Sequence, residues 1–265
     1  MADSLRVLVT NDDGIESEGL LALARMAVEA GHEVVVAAPL GESSGASASL
    51  TAVDVDGRIV TDRRVLPGLD GVPAYAVSAS PAFIVLIATR GAFGPPPELI
   101  MSGINRGANT GAAVLHSGTV GAAFTGVANG CRAMAVSLDV GLQPERSPRW
   151  DTAAQTARDL LPLVIGDETG FVLNINVPNR MLGDLRGVRR ASLATFGVVQ
   201  MTMLEQGKGY VKMSLEQHDA ELEPGSDEAW LLEGYVAVTP VCPSCEASGV
   251  ELPGLVDPVG VHTGG

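Results

Sequence analysis

Lysine is almost missing from this chain: among 265 residues there are two, Lys208 and Lys212. Acidic residues outnumber basic ones by 31 to 17, and the formal net charge is −14. A chain so short of cations has no basic stripe for duplex nucleic acid or for an anionic membrane. A small anionic substrate stays open, because a bound cation reverses the local field whatever the net charge. Aromatic residues are only 4% of the chain, so the core is aliphatic. The three cysteines, Cys131, Cys242 and Cys245, are too few for a disulfide framework and suit a reducing compartment. The longest apolar run, "FIVLIA" at 83–88, is far short of the roughly 20 residues that cross a bilayer. The opening "MADSLRVLVT" lacks the basic stretch and apolar run of a secretory signal. The expectation is a soluble, cytoplasmic protein with no membrane and no duplex nucleic acid as partner. Also missing are a P-loop, a G-x-G-x-x-G after a strand and a G-x-S-x-G elbow.

What is present is an alternation of two periodicities. Residues 5–9 are β-branched and alternating, which predicts a strand. Residues 17–30 place Leu20, Leu21, Leu23, Ala24, Ala27 and Val28 at helical spacing, with Ser17 to cap and Gly31 to stop. "EVVVAA" at 33–38 is a second strand, closed by Pro39, and completes a right-handed βαβ unit. The pattern recurs with strands at 74–77, 98–101, 133–138 and 171–177. Helices are predicted at 81–91, 119–129 and 151–165. Alternation of this kind predicts a doubly wound, mostly parallel α/β sheet. Beyond about residue 190 the regularity fades. "VVQMTML" and "GYVKMSL" pair as a hairpin, "GYVAVTPV" at 234–241 is a late strand, and the last twenty residues, rich in Gly, Pro and Ser, form a loose tail. The division expected is an α/β core over 1–190 and an extension over 191–265 that packs on it.

Each polar cluster follows a strand. "NDDG" (11–14) follows the first, "SSGAS" (43–47) the second, and "SGINRGANTG" (102–111) the strand at 98–101. "HSGTVGAA" (116–123) leads into the next helix. In a parallel sheet these strand ends share one edge, where open α/β folds bind ligands. Two adjacent carboxylates, Asp12 and Asp13, repel each other and coexist most cheaply around a cation. With a serine hydroxyl and an asparagine amide oxygen they make an all-oxygen set suited to Mg²⁺ or Mn²⁺ rather than Zn²⁺. The competing reading of "NDDG" is a plain turn. The glycine-framed Asn105 and Asn109 suit close approach to an anion, or an ordinary long loop. Ser117 or Thr119 caps the next helix, whose free N–H groups suit a phosphate. His116 is a candidate acid or base, though a lone loop histidine is more often solvated. Cys242-Pro-Ser-Cys245 has no partner pair and reads as structural, Cys131 as buried, and His32 as a residue needing no function.

Together these stretches resemble the SurE family of stationary-phase survival proteins. The resemblance rests on "VTNDDGI" (9–15), "VAAP…SSGASASLT" (36–51), "SGINRGANTG", "SGTVGAA" (117–123), "AVSL" (135–138), "NINVP" (174–178) and "EGYVAVTP" (233–240). It implies a Rossmann-like α/β core, with the C-terminal extension used in homodimers or homotetramers. It implies a metal-dependent 5′/3′-nucleotidase with one divalent cation, Mg²⁺ or Mn²⁺, per subunit and a nucleoside monophosphate as substrate. Carried over by position, the metal ligands are Asp12, Asp13, Ser44 and Asn105. Asn109 and the Ser117–Gly118–Thr119 turn face the phosphate, and the catalytic set is Asp12, Asp13, Asn105 and Ser117. One aspartate, Asp12 ahead of Asp13, serves as base or nucleophile, and the sequence does not decide between those roles.

The chain also departs from that family's usual pattern. An acid is usual where Leu40 stands, and Arg or Gln where Ser43 stands. Asp and Cys are usual at Phe83 and Ile84, and Glu at Thr125. A polar or charged group has become apolar or neutral at each site while the metal positions remain. This implies a retained metal site in an altered pocket. It leaves two alternatives beside the nucleotidase: a phosphatase for a non-nucleotide metabolite, or a metal- and phosphate-binding protein with weak catalysis.

Overall fold

The computed structural model describes residues 4–141, 147–166, 170–195, 199–207, 209–217 and 222–244. The chain begins with β1 (Arg6–Thr10), α1 (Glu18–Glu29) and β2 (Glu33–Pro39). Two short strands, β3 (Asp54–Val55) and β4 (Arg58–Ile59), pair with each other as a small flap. Then come β5 (Thr61–Arg64), β6 (Ala74–Val77), α2 (Pro81–Ala88) and β7 (Leu99–Arg106). A 3₁₀ turn at Gly111–His116 leads into α3 (Gly118–Ala128), β8 (Arg132–Asp139), α4 (Trp150–Ile165) and β9 (Val172–Pro178). The C-terminal part holds β10 (Val188–Arg190), β11 (Val199–Gly207), β12 (Tyr210–Gln217), α5 (Asp227–Glu233) and β13 (Val236–Val241).

Among the described residues nine strands make one sheet in the order β10-β13-β9-β8-β7-β1-β2-β6-β5. The six from β9 to β6 are all parallel. Their chain order across the sheet reverses between β1 and β7, as in a doubly wound fold, and that reversal opens a crevice at the carboxyl ends of those two strands. Alternation along the strands sorts the core onto two faces. Val7 and Val9 pack under α1 and α4, against residues such as Leu20, Leu23 and Leu161. Leu8 and Ile100 pack on the other face under α2 and α3, against Ile84, Val85 and Val120.

The expected strands and helices are present, and Ser17 caps α1 by accepting from Leu20 N–H. "SGINRGANTG", expected to be loop after a strand at 98–101, is half strand. Pairing with β8 continues to Arg106 with a bulge between Gly103 and Asn105, and Ile104 lies fully buried. Gly103 is required there. It has φ +131° after which the peptide to Ile104 is cis, and a Cβ would collide with the Val136 carbonyl oxygen. The hairpin is β11 with β12, antiparallel. β13 joins the main sheet antiparallel to β9. The glycine- and proline-rich tail lies outside the described residues, as does Cys245. Among the described residues no helix is long and apolar enough to cross a membrane.

Candidate active site

The crevice between β1 and β7 opens into a cavity of about 400 Å³. Asp12, Asp13, Ser44, Asn105, Asn109 and Ser117 all line it, so the sequence-derived site residues meet in one place. Gly118 and Thr119 lie just behind that wall, against Asp12.

"NDDG" turns out to be both turn and site. Asn11, fully buried, builds the turn: its Oδ1 accepts from Gly14 N–H at 3.2 Å, and its Nδ2 donates to Ser17 Oγ at 2.6 Å. That leaves Asp12 and Asp13 to carry the charge. Asp12 is 5% exposed. Thr119 Oγ1 donates to its Oδ1 at 2.6 Å, and the N–H groups of Gly118 and Thr119 at the start of α3 also face its carboxylate. Asp13 is half-buried and accepts from Arg106 N–H at 3.1 Å.

Burial raises the pKa of both carboxyls. Asp13 is pushed up to about 6, first by burial, then by the charge of Asp12, with a smaller push from Glu42. Two carboxylates this reluctant to ionise together want a positive charge between them. Asn105 supplies a neutral oxygen. Its Nδ2 donates to Gly107 carbonyl at 2.9 Å, which turns its Oδ1 away from that carbonyl. Ser44 lines the same cavity, exposed, its Oγ donating to Glu42 Oε1 at 2.7 Å. The loop that carries it is tied to the first by Ser43 N–H donating to the Asp12 carbonyl at 2.7 Å. The donors are oxygens of two acids, an amide and an alcohol. They fit a hard divalent cation. Among the described residues no three His, Cys, Asp or Glu side chains gather as a metal cluster, and this donor set contains only two carboxylates.

Asn109 is held rather than offered. Its N–H donates to Asn176 Oδ1 at 2.8 Å and its Nδ2 to Ser137 Oγ at 2.9 Å. Its carbonyl accepts from Asn174 Nδ2 and Asn176 Nδ2 at 2.9 and 3.0 Å. Asn174 and Asn176 were missed as site residues. The signal was available: two asparagines two residues apart on a buried strand share one face. Ser117, 6% exposed, accepts from Val120 N–H at 3.0 Å and is the cap of α3. A further clamp came without warning. Asp227, at the start of α5 and fully buried, accepts from Gly111 N–H at 2.9 Å and Ala194 N–H at 3.0 Å. The C-terminal segment thus holds the loop that carries Asn109.

His116 lines the cavity and is exposed. His32 accepts from Leu5 N–H through Nδ1, a structural contact. Cys131 is buried as expected. Of the unusual residues, Leu40 and Ser43 border a neighbouring cavity. Ile84 is a core residue of α2 itself, and Thr125 bonds back to the Gly121 carbonyl within α3. The departures at Ile84 and Thr125 therefore belong to the packing of α2 and α3.

The class is a doubly wound α/β protein with paired carboxylates at its switch point, set against a helix N-terminus. The model of the family described as "Survival protein SurE" matches residues 7–199. A "5′-nucleotidase SurE" of Synechococcus sp. is 34% identical over 257 residues, covering 92% of this chain and 93% of the relative. One of Aeromonas hydrophila is 36% identical over 244 residues, covering 89% and 92%. The crystal structure of the SurE protein from Aquifex aeolicus superposes with a TM-score of 0.73 at 27% identity, covering 91% of this chain and 94% of that one. The chain belongs to the SurE family.

Proposed function

We propose that this chain hydrolyses phosphate monoesters as a 5′-nucleotidase, with nucleoside monophosphates as substrates and one divalent cation, Mg²⁺ or Mn²⁺, per subunit. The observation that carries the reading is the pairing of Asp12 and Asp13 in one cavity with Asn105, Ser44 and the capped start of α3. Curated relatives that this chain matches over nine-tenths of their length carry the nucleotidase name. Asp12, Asp13, Ser44 and Asn105 would hold the cation. When bound, it supplies positive charge to a phosphoryl oxygen and acidifies a water molecule. The chain's own residues do the rest. Thr119 and the N–H groups of Gly118 and Thr119 hold Asp12 in one orientation and offset part of the cost of burying its charge. Ser117 and Asn109 line the same cavity and orient the phosphoryl group, Asn109 from the position in which Asn176 and Ser137 fix it. Oriented donors of this kind stabilise the charge that builds on the transferring group.

Residues 1–190 form the catalytic core in this reading. Residues 191–265 serve assembly into a homodimer or homotetramer, and the working compartment is the cytoplasm. The test is release of phosphate from p-nitrophenyl phosphate by metal-stripped protein, with and without Mg²⁺ or Mn²⁺. Activity should return with metal and be lost in Asp12→Asn. Wild-type-like turnover in that variant sinks the assignment.

A further inference from the structure

Two neighbouring acids of the C-terminal segment, Asp227 and Glu228, are buried without lining the cavity. Burying acids is costly, so what they bind matters. Asp227 Oδ2 accepts from Gly111 N–H at 2.9 Å. Its Oδ1 accepts from Ala194 N–H and from Glu228 N–H, each at 3.0 Å. Burial raises the Asp227 carboxyl, and the N–H groups of Gly111, Ala194 and Glu228 pull it back down. Beside it, Glu228 Oε1 accepts from Thr110 Oγ1 at 3.1 Å. Both acids thus spend bonds on the loop at Thr110 and Gly111.

Packing repeats the same connection. Ala108 rests on a small core of Ala191, Leu231 and Ala237. Gly111 has φ +49°, and a Cβ there would stand 2.6 Å from the Ala194 carbonyl oxygen. Asp227 N–H donates to the Ser192 carbonyl at 2.9 Å, which ties α5 to the segment that meets Gly111. Residues 108, 110 and 111 are therefore each held by the C-terminal segment. Asn109 lies between them, and the 3₁₀ turn that follows carries Ala113 and His116 to the cavity, with Ser117 next. The cation side is held differently. Asp12 is bonded to Thr119, Asp13 to Arg106 N–H and Asn105 to the Gly107 carbonyl, all within the first 190 residues.

We propose that Asp227 is a positioning residue for the reaction: through Gly111 it sets the cavity wall that carries Asn109 and Ser117. The C-terminal segment then completes the active site of its own chain, beside the assembly role proposed above. The inference rests on the phosphomonoesterase reading of this cavity. It divides the site in two. Cation binding belongs to the first 190 residues, and seating of the phosphoryl group depends on α5.

The experiment uses the full chain with Mn²⁺. For wild type, Asp227→Asn, Thr110→Val, Thr110→Ser and Glu233→Gln it measures kcat and KM on p-nitrophenyl phosphate, inhibition by inorganic phosphate, Mn²⁺ affinity by calorimetry and assembly by sedimentation. Asp227→Asn keeps the shape. Its amide oxygen serves Ala194 and Glu228, and its NH₂ group then meets the Gly111 N–H, donor against donor. The expected result is a fall in kcat/KM of about 10- to 100-fold, the scale of a group misplaced by about 1 Å, with weaker inhibition by phosphate. Mn²⁺ affinity should change by less than about twofold, as for an independent site. Thr110→Val should lose activity in the same way and Thr110→Ser should restore it, a comparison that decides the matter if Asp227→Asn does not fold. Glu233→Gln, at the exposed far end of α5, should behave as wild type. Wild-type kinetics in Asp227→Asn overturn the proposal. So does an equal loss of Mn²⁺ affinity, or a loss of activity that only follows dissociation of the assembly. Absence of turnover in wild type overturns the enzymatic reading instead. Inorganic phosphate titrated into the Mn²⁺-loaded protein then reads the wall. Affinity lost in Asp227→Asn supports the proposal, and affinity equal to wild type refutes it.

Discussion

Thr119 Oγ1 lies 2.6 Å from Asp12 Oδ1, joining residues 107 positions apart in the chain. Thr119 is fully buried and Asp12 nearly so, hence the hydroxyl has no water to replace it. Thr119→Val keeps the shape and removes the donor. It should lower kcat and cation affinity by about 10- to 100-fold, the usual scale for a residue that orients a ligand. Thr119→Ser should restore most of both. Calorimetric Mn²⁺ binding and steady-state kinetics on the three proteins check this.

The Asp13 carboxyl is pushed up to about 6 by burial, by the charge of Asp12 and, less, by Glu42. Below that pH a cation must displace a proton, so Mn²⁺ affinity should fall by up to about tenfold per pH unit. The sign reverses for the stability of the metal-free protein. The folded chain binds this proton more tightly than the unfolded one, so the contribution is greatest below 3.8, the ordinary value. It is lost as pH rises through about 6. Asp13→Asn should therefore stabilise the metal-free protein above pH 6. The gain is on the order of 1 kcal/mol, discounted because the group is partly open to water. Denaturant titrations at pH 5 and pH 8 give both halves of the comparison.

Most of this architecture was legible because buried parallel strands are written plainly as apolar, β-branched runs. "LRVLVT" and "EVVVAA" needed no context. β5 and β10 were not legible: their residues are mostly exposed and charged, and pairing alone makes them strands. α5 escaped notice because seven residues are too few for a helical period to declare itself. The site's acids could be read from one tetrapeptide. The clamp from Asp227 could not, since it reaches Gly111 across 116 positions. Adjacency of that kind exists only after folding.

Asn176 makes two bonds to Asn109 from a fully buried position in β9. Asn176→Ala leaves the Asn109 N–H without its acceptor in a dry interior. Stranding one buried donor costs about 1–3 kcal/mol. Asn174 still holds the Asn109 carbonyl, so the fold should survive. The loop's placement should suffer more than the fold. KM for a phosphate monoester should rise severalfold and kcat fall, while the melting temperature drops by only a few degrees. A change in melting temperature with unaltered kinetics would mean that Asn109 does not face the substrate.

Gly118 opens α3, where helix propensity alone favours alanine by about 1 kcal/mol. The neighbouring acid forbids it. A Cβ there would stand 2.7 Å from Asp12 Oδ2 and 2.9 Å from Asp12 Cβ. The carboxylate of Asp12 would have to swing out of line with Thr119 Oγ1, or α3 would have to retreat from the sheet. Gly118→Ala should therefore weaken Mn²⁺ binding at least about tenfold, the scale seen when a ligand's support is disturbed. Gly183 is the control, because a Cβ there meets nothing within 4 Å. Gly183→Ala should leave binding and melting unchanged. Calorimetry on both variants separates crowding of the aspartate from the general effect of replacing a glycine. Unaltered Mn²⁺ affinity in Gly118→Ala would show that Asp12 is not fixed by its contact with the start of α3.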